Sequence, residues 1–297
     1  MKPIGAQLFA GRAMRLIAVF LGLLAFALQP VHAASSPKLT SLEQQLRSLV
    51  GSQTSDVGVA ALDLTTGETV SINGNTAFPM ASTVKVAVAA AYLSQVDHGR
   101  RTLDDRIAGQ SAYRLMERMM IHSDNGATDL LIRDLGGPKG LQDWIEFNGL
   151  HNLRVDRTIA RLLADRRDLW DFRDSSTPLA MVELLQRLDK GNVLKPQSRS
   201  LLLDFMSRCA TGKNRIRGLL PWGTRVENKT GTLNGYTGDV GYITLNNGRR
   251  IAVAMFARGG SNRPRTIAEA ARAIYDGFTN LFSWPAFGSG YPVTGGN

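Results

Sequence analysis

A chain of 297 residues, 43% hydrophobic and 20% charged, has the make-up of a globular protein able to bury a sizeable core. Its 35 Lys and Arg against 25 Asp and Glu give a formal charge of +10, and a single Cys209 excludes an intramolecular disulfide, so packing must hold the fold. No metal-ligand spacing, phosphate loop or nucleotide-binding pattern is present, so no metal and no cofactor are expected.

The first 33 residues stand apart. Lys2, Arg12 and Arg15 precede an apolar segment, Leu16 to Leu28, and Val31-His32-Ala33 forms a small-residue cleavage site. This is the pattern of a secretory signal peptide over residues 1–33, and it implies a periplasmic or secreted protein. The apolar segment is short for a transmembrane span and no other stretch matches it, so no membrane span is expected after cleavage. Cleavage removes three basic and no acidic residues, and +10 becomes +7. For an exported chain such basicity argues against a nucleic-acid partner and suits an anionic wall polymer or plain solubility. A monomer is expected, and Cys209 is expected to be a buried small hydrophobe.

In residues 34–297 the first element is an amphipathic helix from Thr40 to Leu49, with Leu42, Leu46 and Leu49 on one face and Ser41 as a candidate cap. Val57 to Leu64 and Glu68 to Ile72 alternate as strands around the turn Thr65-Thr66-Gly67, which makes a hairpin. The run Val86 to Leu93 is apolar on every side. Its valines could start a strand, but its alanines and length favour a buried helix. Helical spacing follows over Ser111 to Leu135 and Lys139 to Asn148, punctuated by Gly136-Gly137-Pro138.

Leu153 to Pro178 interleaves Arg and Asp and fits an ordered loop with a helical turn. Helices are expected at Pro178 to Leu188 and Pro196 to Met206, then strands at Arg225 to Lys229, Gly238 to Leu245 and Arg250 to Arg258. The last two are joined by the hairpin signal Asn246-Asn247-Gly248. A helix from Ile267 to Phe282 closes the fold, and a Gly- and Pro-rich tail at 283–297 is expected to be flexible. The order implies an α+β class, an α/β sandwich in one catalytic domain. Its antiparallel sheet comes from both chain ends, about 34–75 and 208–282, with an inserted helical subdomain at about 76–207.

The chemistry concentrates in three motifs. In Ser82-Thr83-Val84-Lys85, three residues of helix bring hydroxyl and amine to one face. Alone this is weak, since Ser35-Ser36-Pro37-Lys38 fits too. Ser123-Asp124-Asn125 and Lys229-Thr230-Gly231, following in order, make it specific. A serine hydroxyl needs a base, and Lys85 can serve if burial or a neighbouring cation such as Lys229 lowers its pKa. Ser123 can relay a proton from Lys85 to a leaving nitrogen, Asn125 can hold an amide, and Lys229 with Thr230 suits a carboxylate. His122 and His151 are taken as structural.

These three motifs are the signature of class A β-lactamases and penicillin-binding proteins. The chain resembles that superfamily, and the class A enzymes most, over essentially its whole length after residue 33. FPMAST before Lys85, Leu135-Gly-Gly-Pro-Lys139, Asp156-Arg157, Arg173-Asp174 and Arg215-Ile216-Arg217 add to the likeness. The resemblance implies catalysis by Ser82, Lys85, Ser123 and Lys229, with substrate held by Asn125, Thr230, Gly231 and Thr232. It also implies an oxyanion hole from the backbone N–H groups of Ser82 and Thr232. Arg215, fourteen residues before Lys229, falls where some relatives carry an arginine that anchors the substrate carboxylate.

Two departures narrow that expectation. The family's loop glutamate, which activates the deacylating water, has no counterpart: no glutamate lies between Asp156 and Pro178. Counting forward from Asp156-Arg157 puts Ile159 at its place, and counting back from Arg173-Asp174 and Pro178 puts Arg161 there. Asp165, with Asp168 and Asp171, is the candidate substitute base; the alternative is Arg/Asp pairing. Only 41 residues separate Ser82 from Ser123, which reduces the loop at the rim to Arg101–Gln110 and suits a bulkier substrate. The function implied is an exported serine hydrolase acylated at Ser82 by β-lactams or D-Ala-D-Ala-like peptides, with slow deacylation. The alternatives are a D,D-peptidase acting on cell-wall peptides, or a non-catalytic wall-binding or sensor protein.

Overall fold

The computed structural model describes residues 37–165 and 168–281. The expected signal peptide and tail lie outside the described residues. The first helix, α1 (Pro37–Gly51), starts before Thr40: Pro37 suits a first turn, and Ser41 lies inside the helix rather than capping it. Leu39, Leu42 and Leu46 form its buried stripe. Strands β1 (Asp56–Asp63) and β2 (Thr69–Ile72) make the expected hairpin, its turn held by the Asp63 carboxylate accepting from Thr65 N and Thr66 N.

After the short strand β3 (Phe78–Pro79), a 3-10 turn at Ala81–Val84 runs into helix α2 (Lys85–Asp97). Nine of its thirteen residues, Lys85 to Leu93, are buried, which the all-round apolar run requires. A two-residue pair, β4 (Arg106–Ile107) and β5 (Gln110–Ser111), precedes α3 (Ala112–Ile121), α4 (Asn125–Asp134) and α5 (Gly137–Phe147). The helical stretch expected over Ser111 to Leu135 is therefore two helices. Ser123 adopts a left-handed φ of 60° and breaks it, and Asp124 restarts it by accepting from Ala127 N at 2.8 Å.

Within the Arg/Asp-rich stretch, α6 (Ile159–Ala164) is the expected helical turn, capped by Thr158, and β6 (Ser175–Ser176) pairs with β3. Helices α7 (Pro178–Asp189) and α8 (Pro196–Ser207) follow. The last strands are β7 (Val226–Leu233), β8 (Tyr236–Thr244) and β9 (Arg250–Arg258), and α9 (Arg263–Leu281) ends the described chain. β7 runs four residues past the expected end and meets β8 across Asn234-Gly235, with Gly235 at φ 75°. Thr230, Gly231 and Thr232, beyond the expected end at Lys229, all pair with β8.

The sheet is antiparallel in the order β2-β1-β9-β8-β7 and joins both chain ends. Alternation along β9 serves two cores. Ile251, Val253 and Met255 pack with α1 and α9, whereas Ala252, Ala254 and Phe256 face the core that holds α2 and α7. Both faces are covered, and this puts edge strand β7 against the turn that starts α2.

Candidate active site

The turn bearing Ser82 is fixed from three sides. Thr83 Oγ1 donates to Met80 O at 2.7 Å, Met80 N donates to Asp174 O at 3.0 Å, and β7 lies against the turn. A Cβ on Gly231 would stand 2.7 Å from Met80 O and 3.2 Å from the Ala81 Cβ, so glycine is what lets β7 approach. Ala81 is left-handed at φ 47°, a conformation that costs a non-glycine residue energy and persists because the surroundings hold it. Ser82 follows, partly exposed, and Lys85 begins α2.

The Lys85 ammonium is buried and uses all three of its donors: Ser123 O at 2.7 Å, Ser123 Oγ at 3.1 Å and Asn125 Oδ1 at 2.8 Å. Lys229, also buried, donates to the same Ser123 Oγ at 3.0 Å and to Thr230 O at 3.0 Å. Ser123 thus accepts from both lysines, which leaves its own proton to donate elsewhere. Its left-handed backbone, at the break between α3 and α4, turns that hydroxyl to them. Burial, and then the charge of Lys229, lower the Lys85 pKa to about 7. Burial lowers Lys229 to about 8. Lys85 is therefore poised to take a proton near neutrality while Lys229 keeps its charge.

The β7 side presents Thr232, exposed at the strand end. Arg215 is buried behind it rather than open to solvent. It donates to Gly231 O and Gly238 O, each at 2.9 Å, and to Thr232 Oγ1 at 2.7 Å. Arg215 therefore meets the cleft through Thr232. The Thr230 hydroxyl lies 2.5 Å from that of Thr211, and Cys209 is buried with its Sγ 3.4 Å from Thr211 Oγ1.

Asp165 stands elsewhere, in the loop. Its carboxylate pairs with Arg157 at 3.0 Å and Arg161 at 2.9 Å, as Arg/Asp pairing would have it. Arg157 also reaches Asp174 at 2.6 Å and Asp171 at 3.3 Å, and hydrogen bonding from Arg173 holds Asp171 down at about 2. Asp168 accepts from Trp170 N on the exposed side. Ile159 is buried, and its N–H and that of Ala160 donate to the Asp129 carboxylate at 2.7 and 2.9 Å. His122 and His151 are exposed. Asp129 was not legible as a site residue, since nothing in its spacing says that it reaches a loop thirty residues on.

Residues 41–278 match the family described as the β-lactamase enzyme family. The extended-spectrum β-lactamase PER-1 of Pseudomonas aeruginosa is 31% identical, over 82% of this chain and 88% of that protein. The carbapenem-hydrolysing β-lactamase KPC of Klebsiella oxytoca is 29% identical, over 84% and 93%. Among solved structures, the class A β-lactamase of the last common ancestor of Gram-negative bacteria superposes with a TM-score of 0.76 at 35% identity, covering 80% of this chain and 99% of that one.

Proposed function

The chain belongs to the β-lactamase enzyme family, and on that footing we propose that it is an exported serine hydrolase in which Ser82 forms an acyl-enzyme with β-lactams. The observation that carries this is the Ser123 hydroxyl held between Lys85 and Lys229, at 3.1 and 3.0 Å. In the reaction, Lys85 takes the Ser82 proton as Oγ attacks the lactam carbonyl. Ser123 Oγ–H then protonates the departing nitrogen, and Lys85 resupplies Ser123. The backbone N–H groups of Ser82 and Thr232 receive the oxyanion, where one donor is worth about a hundredfold or more in rate. Lys229, Thr230 and Thr232, the last braced by Arg215, take the substrate carboxylate, and Asn125 takes an amide.

Release of the acyl group is the slow step in this proposal. No glutamate lies between Asp156 and Pro178, and the aspartates there serve other partners. Asp165, held by two guanidiniums, is better suited to bracing the loop than to taking a proton. Between the Ser82 turn and the loop lies a void of only about 10 Å³, walled by apolar side chains such as Met80, Val84 and Ile159 and by the charged Arg157 and Asp174. That is at the lower limit for one water, and the two charged groups of its wall are paired with one another. Peptides ending in D-amino acids are a second substrate class in this proposal. Asn125 and Thr232 are exposed, and only the β4–β5 turn stands between Leu103 and α3. The signal-peptide pattern of residues 1–33 supports export, and no helix among the described residues is long and apolar enough to cross a membrane.

Intact-protein mass spectrometry after mixing with a penicillin tests the acylation step. The expected result is a mass gain of one whole penicillin, absent in Ser82→Ala. No adduct with any β-lactam or D-Ala-D-Ala peptide would overturn the proposal and favour a non-catalytic wall-binding protein.

A further inference from the structure

On β8, beside β7, one carboxylate is wholly buried. Asp239 sits on β8 directly opposite Thr230 of β7. It accepts from Asn228 Nδ2 at 2.8 Å and from Ile216 N at 3.2 Å. Asn228 is the neighbour of Lys229, and Ile216 is the neighbour of Arg215. The ring closes through Arg217, whose Nε and Nη2 donate to Asn228 Oδ1 at 3.0 and 2.9 Å. Asp239 thus adds a tie between the segments that carry Lys229 and Arg215, beside the direct bonds of Arg215 to Gly231 and Thr232 and of Arg217 to Asn228 and Val226.

The charges agree with the bonds. Lys229 and Arg215 are both buried cations, and Asp239 is the carboxylate whose field raises the proton affinity of each. The groups facing this network are Arg215 and Arg217 from the turn before β7, Lys229 from β7, Tyr236 from β8, Cys209 from the segment after α8, and Lys85 from α2 across Lys229. Arg215, Arg217 and Lys229 are cations, and Lys85 is a fourth whenever it is protonated.

We propose that Asp239 is a positioning residue: its buried carboxylate ties the Arg215–Arg217 turn to β7 and supplies the counter-charge that keeps Lys229 protonated while Lys85 is neutral. This rests on the acyl-enzyme reading above. Asp239 touches no substrate and acts through Lys229 and through the hold of Arg215 on Thr232. Burial pushes its own carboxyl up to about 6, so it is ionised where acylation is expected to run.

The test is the pH dependence of adduct formation with a penicillin, in the wild type, in Asp239→Asn and in the double variant Asn228→Asp/Asp239→Asn. The single variant sets an amide donor against the donors of Asn228 or Ile216. The double variant restores every hydrogen bond, reversing only that between 228 and 239, and returns one negative charge to the network. Expected is a basic limb about one pH unit lower in Asp239→Asn, a tenfold loss on that limb, and its return to the wild-type position in the double variant. A basic limb unmoved in Asp239→Asn overturns the proposal. So does a double variant that regains the wild-type melting temperature but not the wild-type limb. Should Asp239→Asn fail to fold, the limb of the double variant decides alone. Absence of any adduct in the wild type would instead overturn the acyl-enzyme reading beneath it.

Discussion

At Ser123 two buried ammonium groups share one hydroxyl, and the arrangement works only if the two differ in their hold on a proton. Lys85, lowered to about 7, and Lys229, lowered to about 8, are separated in the required order. Acylation should therefore rise as pH passes about 7, where Lys85 becomes neutral, and fall above about 8, where Lys229 loses the charge that receives the substrate. Stopped-flow rates of adduct formation across this range would check it. A rate still rising above pH 9 or so would show that Lys229 is not needed charged. Neither the lysines' burial nor their common partner is visible in three motifs scattered over the chain. The sequence names the residue types, but only the fold brings Lys85 and Lys229 to one oxygen.

Among the elements, the meeting of β7 with the turn before α2 sets the geometry of Ser82. Gly231→Ala places a methyl group against Met80 O and the Ala81 Cβ. It should destabilise the fold by about 1–3 kcal/mol and slow acylation by about tenfold or more as Ser82 is displaced. Melting temperature and adduct rate together would check this; an unchanged adduct rate would mean that the turn relaxes without moving Ser82. The strands, the hairpins and most helices follow from periodicity and turn residues. The extension of β7 through Thr230, Gly231 and Thr232 does not, because pairing with β8 overrides the weak strand preference of glycine. Nor does the break at Ser123, which depends on one left-handed residue inside an otherwise helical pattern. Asp129 and Asp239 escape sequence reading for a further reason: each acts by reaching a distant backbone N–H, and no local pattern records that.

Over the whole molecule, a sheet drawn from both chain ends and the helices between them converge on one seam. The two sides of that seam are unequally equipped. On the β7 and α4 side, Lys85, Ser123, Asn125 and Lys229 form one hydrogen-bonded set. On the loop side, the carboxylates neutralise arginines, including the Arg157–Asp174 pair in the wall near Ser82. In the proposed mechanism acylation has its groups, whereas water activation is expected to lack a positioned base, at a loss of about two to four orders of magnitude in rate. The most direct measurement is a time course of the Ser82 adduct by mass spectrometry after a single turnover with a penicillin. An adduct that forms quickly and decays at least about a hundredfold more slowly is expected. Steady product formation with no accumulating adduct would contradict it.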